Sequence, residues 1–427
     1  MKIQKNNLMN TKKNIKKIKT NSLYIHIPFC RNICPYCDFV KIIKNQRFED
    51  LYIDKICKDL DEIYNNFYKF KTIYIGGGTP SSLSIFNLKK LLNKINLLKL
   101  NECEITFEAN PEDINEELLK LLKDNNINRI SIGIQSFNKE TLKKLHRVDL
   151  DFFNLIELTK KYITNISLDF IYGLPEENID IINENISYFC KLNVEHVSIY
   201  SLTIHPNTYF YNQGIKEIDE DLNREMYDII CKRLKEAGFN QYEVSNFSKN
   251  RKFESKHNLN YWKSNEFLGV GLGAFGYING YRYSMTKNLN KYLSNDVDRI
   301  YFKEKLTDKE KLEEFIMLNL RTKYGINFND YKKKFNKDFV SRTTCFLLNN
   351  NRNENTIAIK ACANQENVVD KIIKMEPNIS LAPPDTSQEL IFLLTLSIAN
   401  VLKALISKCC KKLCTTSTCF VISKSHI

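Results

Sequence analysis

The chain has 427 residues, enough for two or three domains with sizeable cores. Its net charge of +13 is the balance of 63 basic and 50 acidic residues spread along the chain. The surface therefore reads as solvated and basic rather than as a dedicated nucleic-acid face, and no nucleic-acid partner is expected. Thirteen cysteines without a regular pairing pattern exclude a disulfide scaffold and point to a reducing compartment, the cytoplasm.

Residues 1–21 are rich in Lys and Asn, and no acidic residue precedes Asp38. They lack the apolar run of a secretory signal, so a disordered basic tail is expected. If the tail were a presequence, an organellar matrix would replace the cytoplasm. Over 22–206 short β-branched runs alternate with amphipathic stretches, the pattern of βα units around a parallel sheet. Strands are expected at Leu23–Ile27, Thr72–Ile75, Glu104–Glu108, Arg129–Ile134, Ser167–Ile171 and His196–Ser201. Phe48–Asn66, Asp113–Lys123 and Asp180–Leu192 are long enough for helical crossovers. The expected fold is α/β, a partial TIM-like (β/α)6 barrel, followed by a smaller α+β region over 207–340 that includes an amphipathic helix at Leu312–Arg321.

The residues that carry chemistry stand at strand ends. After the first strand come Cys30, Cys34 and Cys37, spaced C-x3-C-x2-C. Three thiolates are one short of a closed zinc or iron–sulfur site and leave a coordination position open. After the second strand, Gly76-Gly77-Gly78-Thr79-Pro80 lets the backbone approach a ligand and frees N–H and C=O groups for an amino-acid moiety. Glu108 ends the third strand with a carboxylate able to accept hydrogen bonds from ribose hydroxyls, and Gln135 ends the fourth with an amide that donates and accepts. Arg147 follows in Leu145-His146-Arg147, and Asp169 lies in the fifth strand. Charges in a barrel mouth need an ionic ligand or each other.

Beyond 206, the most distinctive text is His257-Asn258-Leu259-Asn260-Tyr261-Trp262. Gly269-Val270-Gly271-Leu272-Gly273-Ala274 is a weak dinucleotide fingerprint without the surrounding strand–helix unit, and a Rossmann site is not expected. After Val340 the composition changes: all 22 Tyr lie at or before Tyr331, whereas six of the 13 Cys lie beyond Val340. Residues 341–427 are read as an atypical tail, either an extension or, preferably, the translation of a shifted frame that cuts the 207–340 region short. Its apolar run Leu390–Ile406 contains Asn400 and Lys403 and is not expected to span a membrane. Cys409, Cys410, Cys414 and Cys419 are not expected to form a second metal site.

The ordered set of motifs resembles the radical S-adenosylmethionine (SAM) superfamily. The flanks Tyr24-Ile25-His26-Ile27-Pro28-Phe29 and Cys37-Asp38-Phe39 narrow the resemblance to the branch holding oxygen-independent coproporphyrinogen III oxidase and the HemW-like haem chaperones. The resemblance covers roughly 22–339. It implies that Cys30, Cys34 and Cys37 bind three irons of a [4Fe–4S] cluster and that SAM chelates the fourth. It implies SAM contacts from Gly77, Gly78, Thr79, Glu108, Gln135, Arg147 and Asp169, and further ones from Tyr24 and Tyr36. The segment Leu318–Gly325 resembles the start of the branch's C-terminal helical domain. The His257 motif is similar to the H-N-x-x-Y-W of the chaperones and suggests His257 as a haem ligand with Tyr261 and Trp262 as flat apolar surface. The alternative is that Tyr261 and Trp262 pack an interface while His257 caps a turn.

Two departures are His146, where relatives usually have Gly, and His205, where they have an acidic residue; new ligands are one reading of them, but both are read in preference as surface residues or as lying behind the ligands. Phe39 stands where the oxidases carry a fourth Cys. The resemblance therefore implies a haem chaperone that binds haem and hands it to an unidentified haem-protein acceptor, a membrane haem protein among the candidates, with radical SAM decarboxylation of coproporphyrinogen III as the alternative. Neither SAM cleavage nor the oligomeric state follows from these residues.

Overall fold

The computed structural model describes residues 20–336, apart from 67 and 295–298, together with the strand Thr356–Ile357. The basic tail up to residue 19 and the expected features at Leu390–Ile406 and Cys409–Cys419 lie outside the described residues.

All six expected strands form: β1 (Ser22–Ile27), β2 (Phe70–Gly77), β3 (Lys99–Ala109), β4 (Arg129–Gln135), β5 (Ile166–Tyr172) and β6 (His196–Ser201). They run parallel in chain order. The sheet continues past residue 206, because β7 (Asn240–Gln241) and β8 (Asn246–Ser248) add antiparallel strands beyond β6, and β9 (Leu268–Val270) lies parallel to the outer side of β1. The full order is β9-β1-β2-β3-β4-β5-β6-β8-β7, an open, partial barrel of TIM-like type. β10 (Phe275–Ile278), β11 (Tyr281–Met285) and β12 (Ile300–Lys305) form a separate antiparallel sheet.

The helices that cover the sheet start where polar side chains cap them. Asn45 accepts the N–H of Phe48 at the start of α1 (Gln46–Asn65), Ser84 that of Asn87 at α2 (Ile85–Leu98) and Asn115 that of Leu118 at α3 (Glu116–Asp124). Ile53, Ile56, Cys57, Leu60 and Ile63 recur at helical spacing along α1 and bury one face against the sheet. α4 (Lys139–Lys144), α5 (Phe152–Lys160) and α6 (Ile179–Lys191) follow the same rule, with caps from Asn138, Asp151 and Asn178. α7 (Tyr209–Asn212) is a single turn, and α8 (Glu220–Glu236) packs beside α6.

Leu23, Ile25 and Ile27 of β1 enter the outer core between sheet and helices. The alternating residues Tyr24 and His26 point inward, in register with Tyr74 and Gly76 of β2. The inner face is polar: Thr106, Glu108, Arg129, Ser131, Ser167, Asp169, His196 and Ser198 follow at alternate positions on β3 to β6. The end at which the strands begin is closed by Tyr242 and α9 (Lys256–Trp262), and the end at which they finish carries the cysteine loop. α10 (Asp308–Leu320) begins with a capping box between Thr307 and Glu310 and shares a small core, Phe315, Ile326 and Tyr331, with α11 (Phe328–Phe335). Among the described residues, no helix is long and apolar enough to cross a membrane.

Candidate functional site: the cysteine loop and the barrel mouth

β1 delivers the chain into the cysteine loop, and backbone hydrogen bonds pin the loop on both sides. Ile42 N–H donates to Pro28 O (2.7 Å) and Lys44 N–H to Cys30 O (2.8 Å), while Gly78 N–H donates to Ile27 O (2.7 Å) and Thr79 N–H to Phe29 O (2.8 Å). The three-glycine turn is thus laid directly along the start of the loop. A Cβ on Gly78 would stand 2.7 Å from the Pro28 carbonyl carbon. Gly77 has φ +122° and would drive a Cβ to 2.4 Å from the His26 ring. His26 cannot yield, because its nitrogens are held by Tyr24 Oη (3.0 Å) and Val40 O (2.8 Å).

The Thr79 hydroxyl donates to the Cys30 thiol at 3.5 Å, and Cys37 N–H donates to Cys34 O at 3.1 Å. Cys30 is buried, while Cys34 and Cys37 are half-buried. Burial pushes the Cys30 thiol pKa up and that of Cys37 up to about 12. Among the described residues, no three His, Cys, Asp or Glu side chains converge on a common point as metal ligands.

A chain of polar contacts encircles the mouth. The Arg147 guanidinium donates through Nη1 to Asn110 Oδ1 (2.9 Å), lies 3.9 Å from the Cys34 sulfur, and donates through Nη2 to Gly133 O. Asn110 N–H donates to Ser81 Oγ (3.0 Å), Ser81 donates to Asp113 Oδ2 (2.7 Å), and Asp113 pairs with Arg31 of the cysteine loop (2.8 Å). Asn110, Ser81, Asp113 and Arg31 escaped the reading of the sequence. The available signal was position alone, since Ser81 and Asn110 directly follow motifs at the ends of β2 and β3.

The other expected ligand residues divide by depth. Glu108 accepts the N–H of Gly77 at 2.8 Å, so its carboxylate lies on the glycine turn. Gln135, at φ +68°, is buried with its Oε1 lacking any partner, an acceptor in want of a donor. Tyr36 packs against Leu145, Ile171, Leu174, Leu202 and Phe210. Asp169 lies deeper, accepting from Ser131 (2.9 Å) and Ser167 (3.3 Å); burial raises its pKa to about 6. Of the two expectations for these charges, an ionic ligand or each other, the second is not met, since Arg147 and Asp169 have separate partners.

The haem-ligand expectation for His257 does not survive the packing. His257 Nδ1 is 2.9 Å from Thr72 Oγ1 and Nε2 is 2.7 Å from Tyr261 Oη, while its N–H donates to Glu104. Burial lowers its pKa to about 3, keeping the ring neutral. Trp262 is wholly buried, with the Arg321 guanidinium 4.6 Å from its ring centre, and Tyr261 packs edge-on against Phe267. This cluster plugs the end of the barrel opposite the cysteines and offers no face to a macrocycle. His257→Ala is therefore expected to lower stability by about 2–4 kcal/mol, through a cavity and the loss of the ring's hydrogen bond with the Tyr261 hydroxyl, while Thr72 keeps its bond to Ser22. Haem affinity measured below the melting temperature should be unchanged.

Glu177, in the loop after β5, supplies a pH-dependent element. Its carboxylate accepts the N–H of Leu174 (3.1 Å), its Oε1 is buried without a partner, and burial raises its pKa to about 7. The folded state thus holds a proton that the unfolded state releases near pH 4.5. The stability associated with that proton is full below pH 4.5 and is lost as pH rises through 7. Glu177→Gln should remove this slope and make the protein more stable than the wild type at pH 8, by up to about 2–3 kcal/mol, with little gain at pH 4. Denaturant unfolding at the two pH values measures it.

Comparison with known proteins agrees with this geometry. The Radical SAM superfamily model matches residues 24–189, and the HemN C-terminal domain model matches 306–342. The heme chaperone HemW of Lactococcus lactis subsp. lactis is 39% identical over 331 residues, covering 75% of this chain and 86% of that protein. The chain belongs to the HemW family of the radical SAM superfamily. The heme chaperone HemW of Bacillus subtilis is 37% identical over 334 residues, 74% of this chain and 87% of its own. Coproporphyrinogen III oxidase (HemN) from Escherichia coli shares the fold, with a TM-score of 0.67 and 20% identity over 78% of this chain and 82% of that one.

Membership of the superfamily implies a [4Fe–4S] cluster and SAM. The residues present fit them: three thiols share one loop without a fourth cysteine among them, Gln135 buries an acceptor that needs a donor, and a glycine turn lies against the loop. The segment Gly269–Gly276, by contrast, is structural. A Cβ on Gly269 would fall 1.6 Å from the Phe275 carbonyl oxygen, so glycine is what lets β9 and β10 pack.

Proposed function

We propose that this protein is a haem chaperone, which binds haem and transfers it to an acceptor haem protein, beside a SAM-chelated cluster in the barrel mouth. The observation that carries the reading is extended similarity to proteins named heme chaperone HemW, over most of both chains. Phe39, buried where the oxidases carry a fourth cysteine, supports the same choice. Acceptors that fit are haem proteins, including ones held in a membrane.

In this reading Cys30, Cys34 and Cys37 hold the cluster. Gly77, Gly78 and Thr79 present backbone and hydroxyl groups to the amino-acid part of SAM, and Glu108 turns from the Gly77 N–H to the ribose hydroxyls. Gln135 gains the donor it lacks, Arg147 holds the cysteine loop against β4, and Tyr24, Tyr36 and Asp169 line the pocket. When bound, the cluster and SAM supply one-electron chemistry. The test is anaerobic reconstitution of the full chain, with haem binding, haem transfer to an apo-acceptor and decarboxylation of coproporphyrinogen III measured side by side. Stoichiometric haem binding and transfer without decarboxylation is expected; turnover to protoporphyrinogen without haem binding would establish the oxidase instead.

A further inference from the structure

Five of the six histidines are described, and the fold sorts them. His26, His196 and His257 are buried, and each has both ring nitrogens in polar contacts within the protein, those of His196 going to Ser167 (2.8 Å) and Tyr242 (2.9 Å). His205 faces Asp38 at 3.7 Å. His146 is exposed, and its imidazole makes no hydrogen bond to the described residues.

The backbone at His146 has φ +54°, in the left-handed region that favours Gly or Asn. It directly follows the cap of α4, where Arg147 N–H returns to Leu142 O at 2.8 Å. An imidazole is thus held at a strained position, aimed at solvent, where a smaller residue would close the helix at lower cost. Its ring centre is 6.3 Å from that of Tyr209, which is 55% exposed, and Val148 beside it is 44% exposed. Lys143, one turn earlier, is also exposed. An imidazole, an uncovered aromatic ring, an apolar branch and an ammonium are the groups that a planar iron macrocycle with carboxylate arms requires. The ledge borders the cysteine loop: the neighbouring Arg147 approaches Cys34, and Phe210 N–H, next to Tyr209, donates to Pro35 O at 3.1 Å.

We infer that His146 is an axial ligand for haem iron, on a ledge shared with Tyr209 at the outer lip of the barrel mouth. This assigns the haem position within the chaperone reading and rests on it. It also replaces the expectation that His146 is a surface residue or one lying behind the ligands.

The test is a titration of the reconstituted full chain with hemin, read by the Soret band and by stoichiometry. His146→Gly removes the imidazole while suiting the backbone, so folding is preserved. Affinity should fall by at least about tenfold with loss of the histidine-ligated spectrum. Free imidazole added to the variant should restore that spectrum, which a merely structural residue would not allow. Tyr209→Ala should weaken binding without changing the ligation signature. Wild-type affinity and spectrum in His146→Gly, or their loss in His205→Ala instead, would overturn the ligand assignment while leaving haem binding intact. Failure of the wild-type chain to bind hemin would overturn both the assignment and the chaperone reading.

Discussion

Cys34→Ala is expected to yield a folded protein that cannot hold its iron–sulfur cluster. Two thiols remain, and a cuboidal cluster that reserves one iron for SAM needs three. The side chain is half-buried, with the Arg147 guanidinium 3.9 Å from its sulfur and the Tyr36 hydroxyl beside it, so the fold loses little, within about 1 kcal/mol. The two effects separate in one preparation: iron, sulfide and visible absorption after anaerobic reconstitution should collapse, while the melting curve of the cluster-free protein stays in place. Unchanged iron content would remove Cys34 from the ligand set.

Arg129→Ala is expected to have the largest effect on stability. Arg129 is 2% exposed at the start of β4, with Nη2 3.3 Å from His196 Nδ1. Burial raises the pKa values of Glu104 and Asp169, and the Arg129 charge is among the influences that oppose it. Without the guanidinium these carboxyls are left in a low-dielectric interior with a cavity beside them, a loss of about 3–5 kcal/mol. Both carboxyls are then pushed further towards the protonated form, so the deficit should be larger at pH 8 than at pH 5, where protonation relieves it. Denaturant midpoints at the two pH values test this, and a pH-independent loss would show that the cavity alone is responsible.

The strands and the mouth were legible because their signals are local. A β-branched run ending in Cys30, a three-glycine turn after β2 and a carboxylate at the end of β3 each announce themselves within a few residues. What stayed hidden depends on neighbours distant in sequence. Arg31, Ser81, Asn110 and Asp113 form one polar chain with Arg147 only because four different βα loops meet at one end of the sheet. Nothing in the immediate sequence of Asp113 marks it as a partner of the cysteine loop. The edge strands were missed for a related reason: β7, β8 and β9 have only two or three residues each, too short for a period of two to show.

His257 illustrates the limit most sharply. An imidazole followed by Tyr and Trp at helical spacing has the chemistry of a haem site, and residue types alone cannot distinguish ligand from packing. The burial of that helix against Thr72 and Glu104, residues more than 150 positions away, decides the matter. His146 is the converse case, a substitution without a motif, placed by a left-handed turn on an open ledge beside Tyr209.

The amino-acid sequence by itself determined the alternation of strands and helices, the open three-thiol site and the groups at the strand ends, because each rests on spacing along the chain. Only the tertiary structure decided which polar groups are already satisfied and which face outward. Hydrogen-bond saturation and burial are properties of side chains brought together across the sheet, and no local pattern encodes them.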